Sequence, residues 1–174
     1  ANADIRDHLI NGIHAAFDVT ETDRDGLDPA EMDGLGCFGF ADGVGGHQGG
    51  REAAEYTVRG LLSDYYATPD TWSVPHALDK VIAALNRWVM AEAGRHPDHT
   101  GMATTLTVLV LRGRRYVSAH VGDSRVYRLR NGTLEQLTED HSLLNDYIKM
   151  KRLTEEEIAN FPHKNVIVRA LGMK

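Results

Sequence analysis

The chain has 174 residues, 42% of them hydrophobic, with 19 basic against 25 acidic side chains and a net charge of −6 when histidines are neutral. That length and composition suit one domain able to bury a core, and the acidic balance disfavours nonspecific nucleic-acid binding, which rests on clustered cations. No apolar run approaches the length of a membrane span, and a single cysteine, Cys37, excludes an internal disulfide and a cysteine-based zinc cluster.

In chain order, residues 4–17 place Ile5, Leu9, Ile13 and Phe17 on one helical face. The segment from Asp18 to Asp33 follows, with seven carboxylates and Arg24 as its one cation, and reads as an acidic loop. Within it Glu21, Asp23 and Asp25 precede Gly26 at the first, third and fifth places of a calcium loop. The twelfth place is Met32 where a bidentate Glu is needed, so a solvated acidic loop is the stronger reading. CFGFAD then reads as a short buried strand ending at Asp42. Ala54, Val58, Leu61, Leu62 and Tyr65 mark one amphipathic helix; Leu78, Val81, Ile82, Leu85, Trp88 and Val89 mark a second, opened by Ser73 and Pro75 and stopped at Gly94.

From Thr104 the period changes from helical to extended. TLTVLVLRG and RYVSAHVG predict two strands, and RVYRLR and TLEQLT predict a hairpin about Asn131-Gly132, a pair that tolerates the positive φ of a two-residue turn. Leu143, Leu144, Tyr147 and Ile148 return to helical spacing. Thr154 and Glu157 form a capping box for another short helix, and NVIVRALG resumes extended character. Helices grouped early and consecutive antiparallel strands grouped late predict an α+β fold rather than a doubly wound parallel sheet.

The chemistry concentrates in GFADGVGGHQGG, residues 39–50, with six glycines and one carboxylate. A P-loop would close with Lys and Ser or Thr, which are missing. A dinucleotide fingerprint would place Asp42 beside a pyrophosphate, and the glycine spacing does not match it. Two readings stay open on the residues alone: a metal loop, in which the Asp42 carboxylate and the next carbonyl offer hard oxygens to Mg²⁺ or Mn²⁺, and a tight strand-to-helix turn with no ligand.

FADGVGGHQGGREAA, MATTLTVLVL, VGDSRVYRLRNGTLEQLTEDHSLL and NVIVRALG, in that order and spacing, resemble the metal-dependent PPM (PP2C-like) protein serine/threonine phosphatases, particularly the bacterial kind. The resemblance covers about Gly36 to Gly172, within a single domain spanning 1–174 whose first 35 residues are an atypical helix and acidic loop. It implies a PP2C-like sandwich of two antiparallel β-sheets flanked by helices, with two cations, Mn²⁺ or Mg²⁺, at one sheet edge. Asp42 matches the carboxylate that bridges both metals, Gly43 the glycine whose carbonyl binds one, and Asp123 an acid that helps to hold a third, although Asp123 reads equally as a plain hairpin-turn Asp. Thr104 and Thr105 match a block that looks structural, and His47 reads as a loop residue. The implied reaction is attack of a metal-bridging water on phosphoserine or phosphothreonine, with no covalent intermediate.

Two blocks of the family have no clear counterpart. The opening arginine-and-acid block is missing, so Asp25 is the best candidate for its metal ligand and the phosphate anchor is unassigned. The aspartates that relatives carry beyond RALG are also missing, so the domain is expected to be incomplete at its C-terminus. A different-class reading follows from this: a catalytically inactive phosphatase-like module that binds a signalling partner or a phosphorylated segment. The expected partners of the enzyme are a phosphorylated protein and a cognate serine/threonine kinase, with no nucleic acid and no membrane. With no basic and apolar leader at its start, the sequence reads as cytoplasmic.

Overall fold

The computed structural model describes residues 18–23, 35–45, 48–95, 99, 101–112, 115–151 and 153–173. Among these residues two antiparallel sheets and four helices follow one another as β1 (Asp18–Asp23), β2 (Leu35–Phe40), α1 (Gln48–Tyr66), α2 (Val74–Arg95), β3 (Leu106–Arg112), β4 (Arg115–Val121), β5 (Tyr127–Arg130), β6 (Thr133–Gln136), α3 (Leu143–Lys151) and α4 (Glu155–Ala159). The larger sheet has the order β1-β4-β3-β2, and β5-β6 forms a separate hairpin. This is the α+β arrangement of antiparallel sheets and helices that the sequence pattern predicts.

The alternation of β3 builds the core. Leu106, Val108 and Val110 point to one face, where the β3–β4 register sets them opposite Val121, Ala119 and Val117. α1 and α2 cover that face with Leu61, Tyr65, Leu78, Val81, Ile82 and Leu85. The buried stripe of α1 runs through Gly50, Ala53, Thr57, Leu61 and Tyr65, so it is rotated by one residue from the predicted Ala54–Val58–Leu62 edge. On α2 the predicted apolar face is buried except for Trp88, which lies outside the core against Tyr56, ring centroids 5.0 Å apart. Gly94 lies inside the last turn of α2 and does not stop it.

Three other expectations need correction. Asp18–Asp23, expected as acidic loop, is an edge strand in full antiparallel register with β4, from Asp18 opposite His120 to Asp23 opposite Arg115. Charge does not prevent this, because an edge strand bonds through its backbone and its β-branched Val19, Thr20 and Thr22 favour extension. That strand contains Glu21 and Asp23, which removes the calcium-loop reading. β2 is buried on one face only: Cys37 enters the core while Phe38 and Phe40 are 59% and 61% exposed on the other side. NVIVRALG forms no strand; its ladder contacts are the single bridges Ser142–Ile167 and Thr104–Leu171, while Ala170 and Leu171 are buried, Leu171 in the main core, and Gly172 N–H donates to Asn86 Oδ1 at 2.9 Å. The predicted helix over residues 4–17 lies outside the described residues.

The hairpin and the capping box form as predicted. Asn131 and Gly132 have φ of 50° and 78°, and the Thr154 side chain accepts from Glu157 N–H while the Glu157 carboxylate accepts from Thr154 N–H. Among the described residues no helix is long and apolar enough to cross a membrane.

Candidate metal centre

β2 ends at Phe40, and two residues later Asp42 stands exposed where the chain turns toward α1. Its backbone is pinned by two buried threonines 62 and 63 residues away. The Asp42 N–H donates to the Thr105 hydroxyl (3.1 Å), and the Asp42 carbonyl accepts from the Thr105 N–H (2.9 Å) and from the Thr104 hydroxyl (2.9 Å). The Thr104 proton is shared, since the same hydroxyl lies 3.0 Å from the Thr105 carbonyl. Both polar groups of the Asp42 main chain are thus used up in holding position, and the carboxylate alone is left to face solvent.

Gly43 pairs with Thr104 in an isolated antiparallel bridge whose bonds are made by the neighbours, Val44 N–H to Ala103 O and Thr105 N–H to Asp42 O, each 2.9 Å. The Gly43 carbonyl therefore lies outside the ladder. On its far side Thr104 exchanges two bonds with Leu171, 3.0 and 2.9 Å, so the RALG segment closes the same row. A Cβ on Gly43 would stand 2.3 Å from the Gly50 carbonyl carbon and oxygen, and one on Gly50 would stand 2.7 Å from the Val44 carbonyl oxygen. Here is the reason for two of the glycines beside the acid, Gly43 and Gly50: the first turn of α1 rests directly on the strand end, backbone against backbone.

The loop after β4 reaches the same place. Gly122, with φ +111°, packs so closely on Thr105 that a Cβ would meet its Cγ2 at 2.6 Å, and the Ser124 hydroxyl bonds the Thr105 hydroxyl at 3.1 Å. Asp123 lies between them, half-buried. Residues 122–126 then run antiparallel to 137–141. Gly122 and His141 exchange bonds, Arg125 clasps Asp140 through two bonds of 2.7 and 2.5 Å, and Val126 N–H donates to Thr138 Oγ1 at 3.0 Å. The hydrogen bonds to Asp140 and then Tyr127 push the Arg125 guanidinium pKa up, so it stays charged throughout. No sequence signal singled out this ribbon, whose side-chain partners come from residues read only as strand and turn.

Of the four predicted ligands, Asp42 and Gly43 are adjacent and Asp123 belongs to a loop tied to Asp42 through Thr105. Asp25 lies outside the described residues, as does His47. Among the described residues no group of three or more His, Cys, Asp or Glu comes together. The donor chemistry present is one exposed carboxylate and one carbonyl, two hard oxygens that fit Mg²⁺ or Mn²⁺ and fill a third of a shell of six. Thr104 and Thr105, read from sequence as packing, are the residues that aim the carboxylate. Their role depends on contacts distant in the chain, and only the adjacency of TT to a strand start hinted at it. Cys37 takes no part: burial pushes its thiol up to about 11.

Comparison with known proteins covers the same segments. The family described as protein phosphatase 2C matches residues 24–170. The chain is 37% identical to the serine/threonine phosphatase stp of Listeria welshimeri, over 93% of this chain and 68% of that protein. The crystal structure of the S. agalactiae serine/threonine phosphatase superposes with a TM-score of 0.71 at 36% identity, over 90% of this chain and 62% of that one. The catalytic domain of the serine threonine protein phosphatase PstP, in complex with two manganese ions, superposes with a TM-score of 0.65 at 30% identity, over 90% of this chain and 67% of that one. The Mycobacterium tuberculosis serine/threonine phosphatase PstP/Ppp gives 0.69 at 30%, over 91% and 69%. The chain thus spans about two-thirds of the length of these relatives.

Proposed function

Since the chain belongs to the protein phosphatase 2C family, as a serine/threonine phosphatase of the bacterial kind that acts on phosphoproteins, we propose that it hydrolyses phosphoserine and phosphothreonine at a Mn²⁺ or Mg²⁺ centre held by the Asp42 carboxylate and the Gly43 carbonyl. The single observation that carries this is the pinned backbone of Asp42. A carboxylate whose N–H and C=O are both tied to buried threonines is held in one place before any cation arrives, which lowers the cost of binding one. Bound divalent cations would supply a water of lowered pKa and positive charge opposite the phosphoryl oxygens.

The protein's own part is positional. Thr104 and Thr105 fix Asp42, and the Gly43–Gly50 contact brings the start of α1 against the strand end. Asp123 is proposed as a ligand of a further, weaker cation, and Asp25 as the acid that completes the first site. The Ser124–Thr105 bond ties the Asp123 loop to the row that fixes Asp42, so the two loops hold a common frame. The reading includes a serine/threonine kinase as the counterpart that supplies the phosphoprotein. It also includes a cytoplasmic setting, with which the one described cysteine, a free thiol, agrees.

A chromogenic phosphoester assay tests the reading. Hydrolysis is expected to rise with Mn²⁺ and to fall by two orders of magnitude or more in Asp42→Ala. Wild-type turnover in Asp42→Ala would reject the assignment. A folded wild-type chain with no turnover at saturating Mn²⁺ would favour the inactive binding module.

A further inference from the structure

We infer that His141 is a positioning residue for this centre: its ring accepts the Gly122 N–H and thereby fixes the loop on which Thr105, and through it Asp42, depends. The inference rests on the reading that Asp42 holds a cation. It starts from an otherwise unexplained group, a histidine only 4% exposed that belongs to none of the predicted ligands.

The geometry is a chain of three contacts. Gly122 N–H donates to His141 Nδ1 at 3.1 Å, and the His141 N–H returns a bond to the Gly122 carbonyl at 2.9 Å. Gly122 in turn sits against the Thr105 methyl in a left-handed conformation that leaves no room for a side chain. The Thr105 hydroxyl then accepts the Asp42 N–H and bonds Ser124. Because Nδ1 accepts, it carries no proton, which places the ring hydrogen on Nε2. His120, itself 2% exposed, stacks on the ring with centroids 4.7 Å apart and planes 22° apart, and its Nε2 donates to the Glu139 carbonyl at 2.8 Å. The His141 ring is therefore held both by a neighbour along its face and by the bond at its edge.

The ribbon would close without that ring bond. The His141 N–H already holds the Gly122 carbonyl, and Arg125–Asp140 and Val126–Thr138 fasten the rest. What Nδ1 adds is a partner for the Gly122 N–H, at the residue in contact with Thr105. A buried imidazole in this place orients the loop at one remove from the ligand; partners that bond a metal ligand directly typically contribute about 10–100-fold to metal affinity, and an effect relayed through Gly122 and Thr105 is expected below that range.

The test compares His141→Asn, which keeps an acceptor near the Nδ1 position, with His141→Leu, which fills the space without one. The readouts on the full chain are amide exchange of Gly122 by NMR, Mn²⁺ affinity by electron paramagnetic resonance, and thermal stability. His141→Leu is expected to expose the Gly122 amide to exchange and to weaken Mn²⁺ binding about threefold to tenfold, less than a direct partner of the ligand would, and His141→Asn to restore both toward wild type. A His141→Leu that melts earlier yet binds Mn²⁺ as wild type does would overturn the inference, leaving a structural role only. Equal behaviour of the Leu and Asn variants would also overturn it. If His141→Leu does not fold, His141→Gln takes its place, since its acceptor lies at the Nε2 position and should fail to rescue. Wild-type Mn²⁺ affinity in Asp42→Ala would instead reject the cation site itself, while the Gly122 exchange result would stand unaffected.

Discussion

Gly43 and Gly50 lie against each other with no space for a methyl group between them: an added Cβ on Gly43 would stand 2.3 Å from the carbonyl carbon and oxygen of Gly50. The atoms in the way are backbone, so no rotamer change relieves the contact. Gly43→Ala is therefore expected to destabilise the chain by about 1–3 kcal/mol or more, as overpacked cores do, and to weaken Mn²⁺ binding as α1 is pushed off the strand end. Gly50→Ala meets Val44 O at 2.7 Å and replaces a helical glycine, which returns at most about 1 kcal/mol of helix propensity. It should be the milder of the two. Urea unfolding of both variants checks the order; a neutral Gly43→Ala would mean the contact is looser than it stands here.

The threonine pair separates by which polar group of Asp42 loses its partner. Thr105→Val leaves the part-buried Asp42 N–H without its acceptor and Ser124 without its partner, for which about 1–2 kcal/mol is expected. Thr104→Val removes a hydroxyl from a carbonyl that still accepts the Thr105 N–H, so about 1 kcal/mol or less is expected. In turnover the order should be the same, with Thr105→Val reducing kcat/KM at least tenfold and Thr105→Ser, which keeps the hydroxyl, recovering most of it. Equal effects from the two valine variants would contradict the division of labour.

Cys37 gives a stability profile with a definite sign. Burial raises its pKa from 9.0 to about 11 in the folded chain. The folded state thus holds this proton more tightly than the unfolded state. The resulting stabilisation is fully present below pH 9 and is lost as pH rises through 9 to 11. Tyr65, raised to about 12 by burial first and by Cys37 second, extends the decline above that window. Unfolding free energies measured from pH 8 to 11 should fall, and Cys37→Ala should flatten the fall between 9 and 11. In the same range the native thiol should alkylate slowly. A profile unchanged by Cys37→Ala would place the titration elsewhere.

What the sequence revealed depended on how local the cause was. The Asn131-Gly132 turn and the Thr154–Glu157 capping box are complete within a few residues, and both form as read. The β3–β4 hairpin was legible because Leu106, Val108 and Val110 alternate against a sheet face that is buried on one side. The strand at Asp18–Asp23 was hidden by its acids, since its pairing with β4 is made by backbone atoms to which side-chain charge is irrelevant. NVIVRALG was misread for the opposite reason: it has β-branched residues, but its ladder contacts are single bridges and it is held instead by burial of Ala170 and Leu171.

The site divided in the same way. Asp42 and Gly43 stood out as an acid followed by glycines at a strand end, but that local pattern left a metal loop and a plain turn open, and their proposed role as ligands came from the resemblance of whole blocks. The support around them lay inside the same blocks, but its contacts were hidden, because Thr104, Thr105, Gly122, Ser124 and His141 meet only when the chain folds. Ordinary polar side chains in strands and turns carry no mark of the backbone groups they will hold.

The most direct test of the central claim is Mn²⁺ binding, by electron paramagnetic resonance, to the chain with Asp42→Asn beside the unaltered protein. Asparagine keeps the size of the side chain and, with the main chain unchanged, the bonds to Thr104 and Thr105, so only the negative charge is removed. The account predicts saturable Mn²⁺ binding by the unaltered chain and a loss of affinity of at least tenfold in Asp42→Asn, with folding intact. Equal affinity in the two proteins would contradict it.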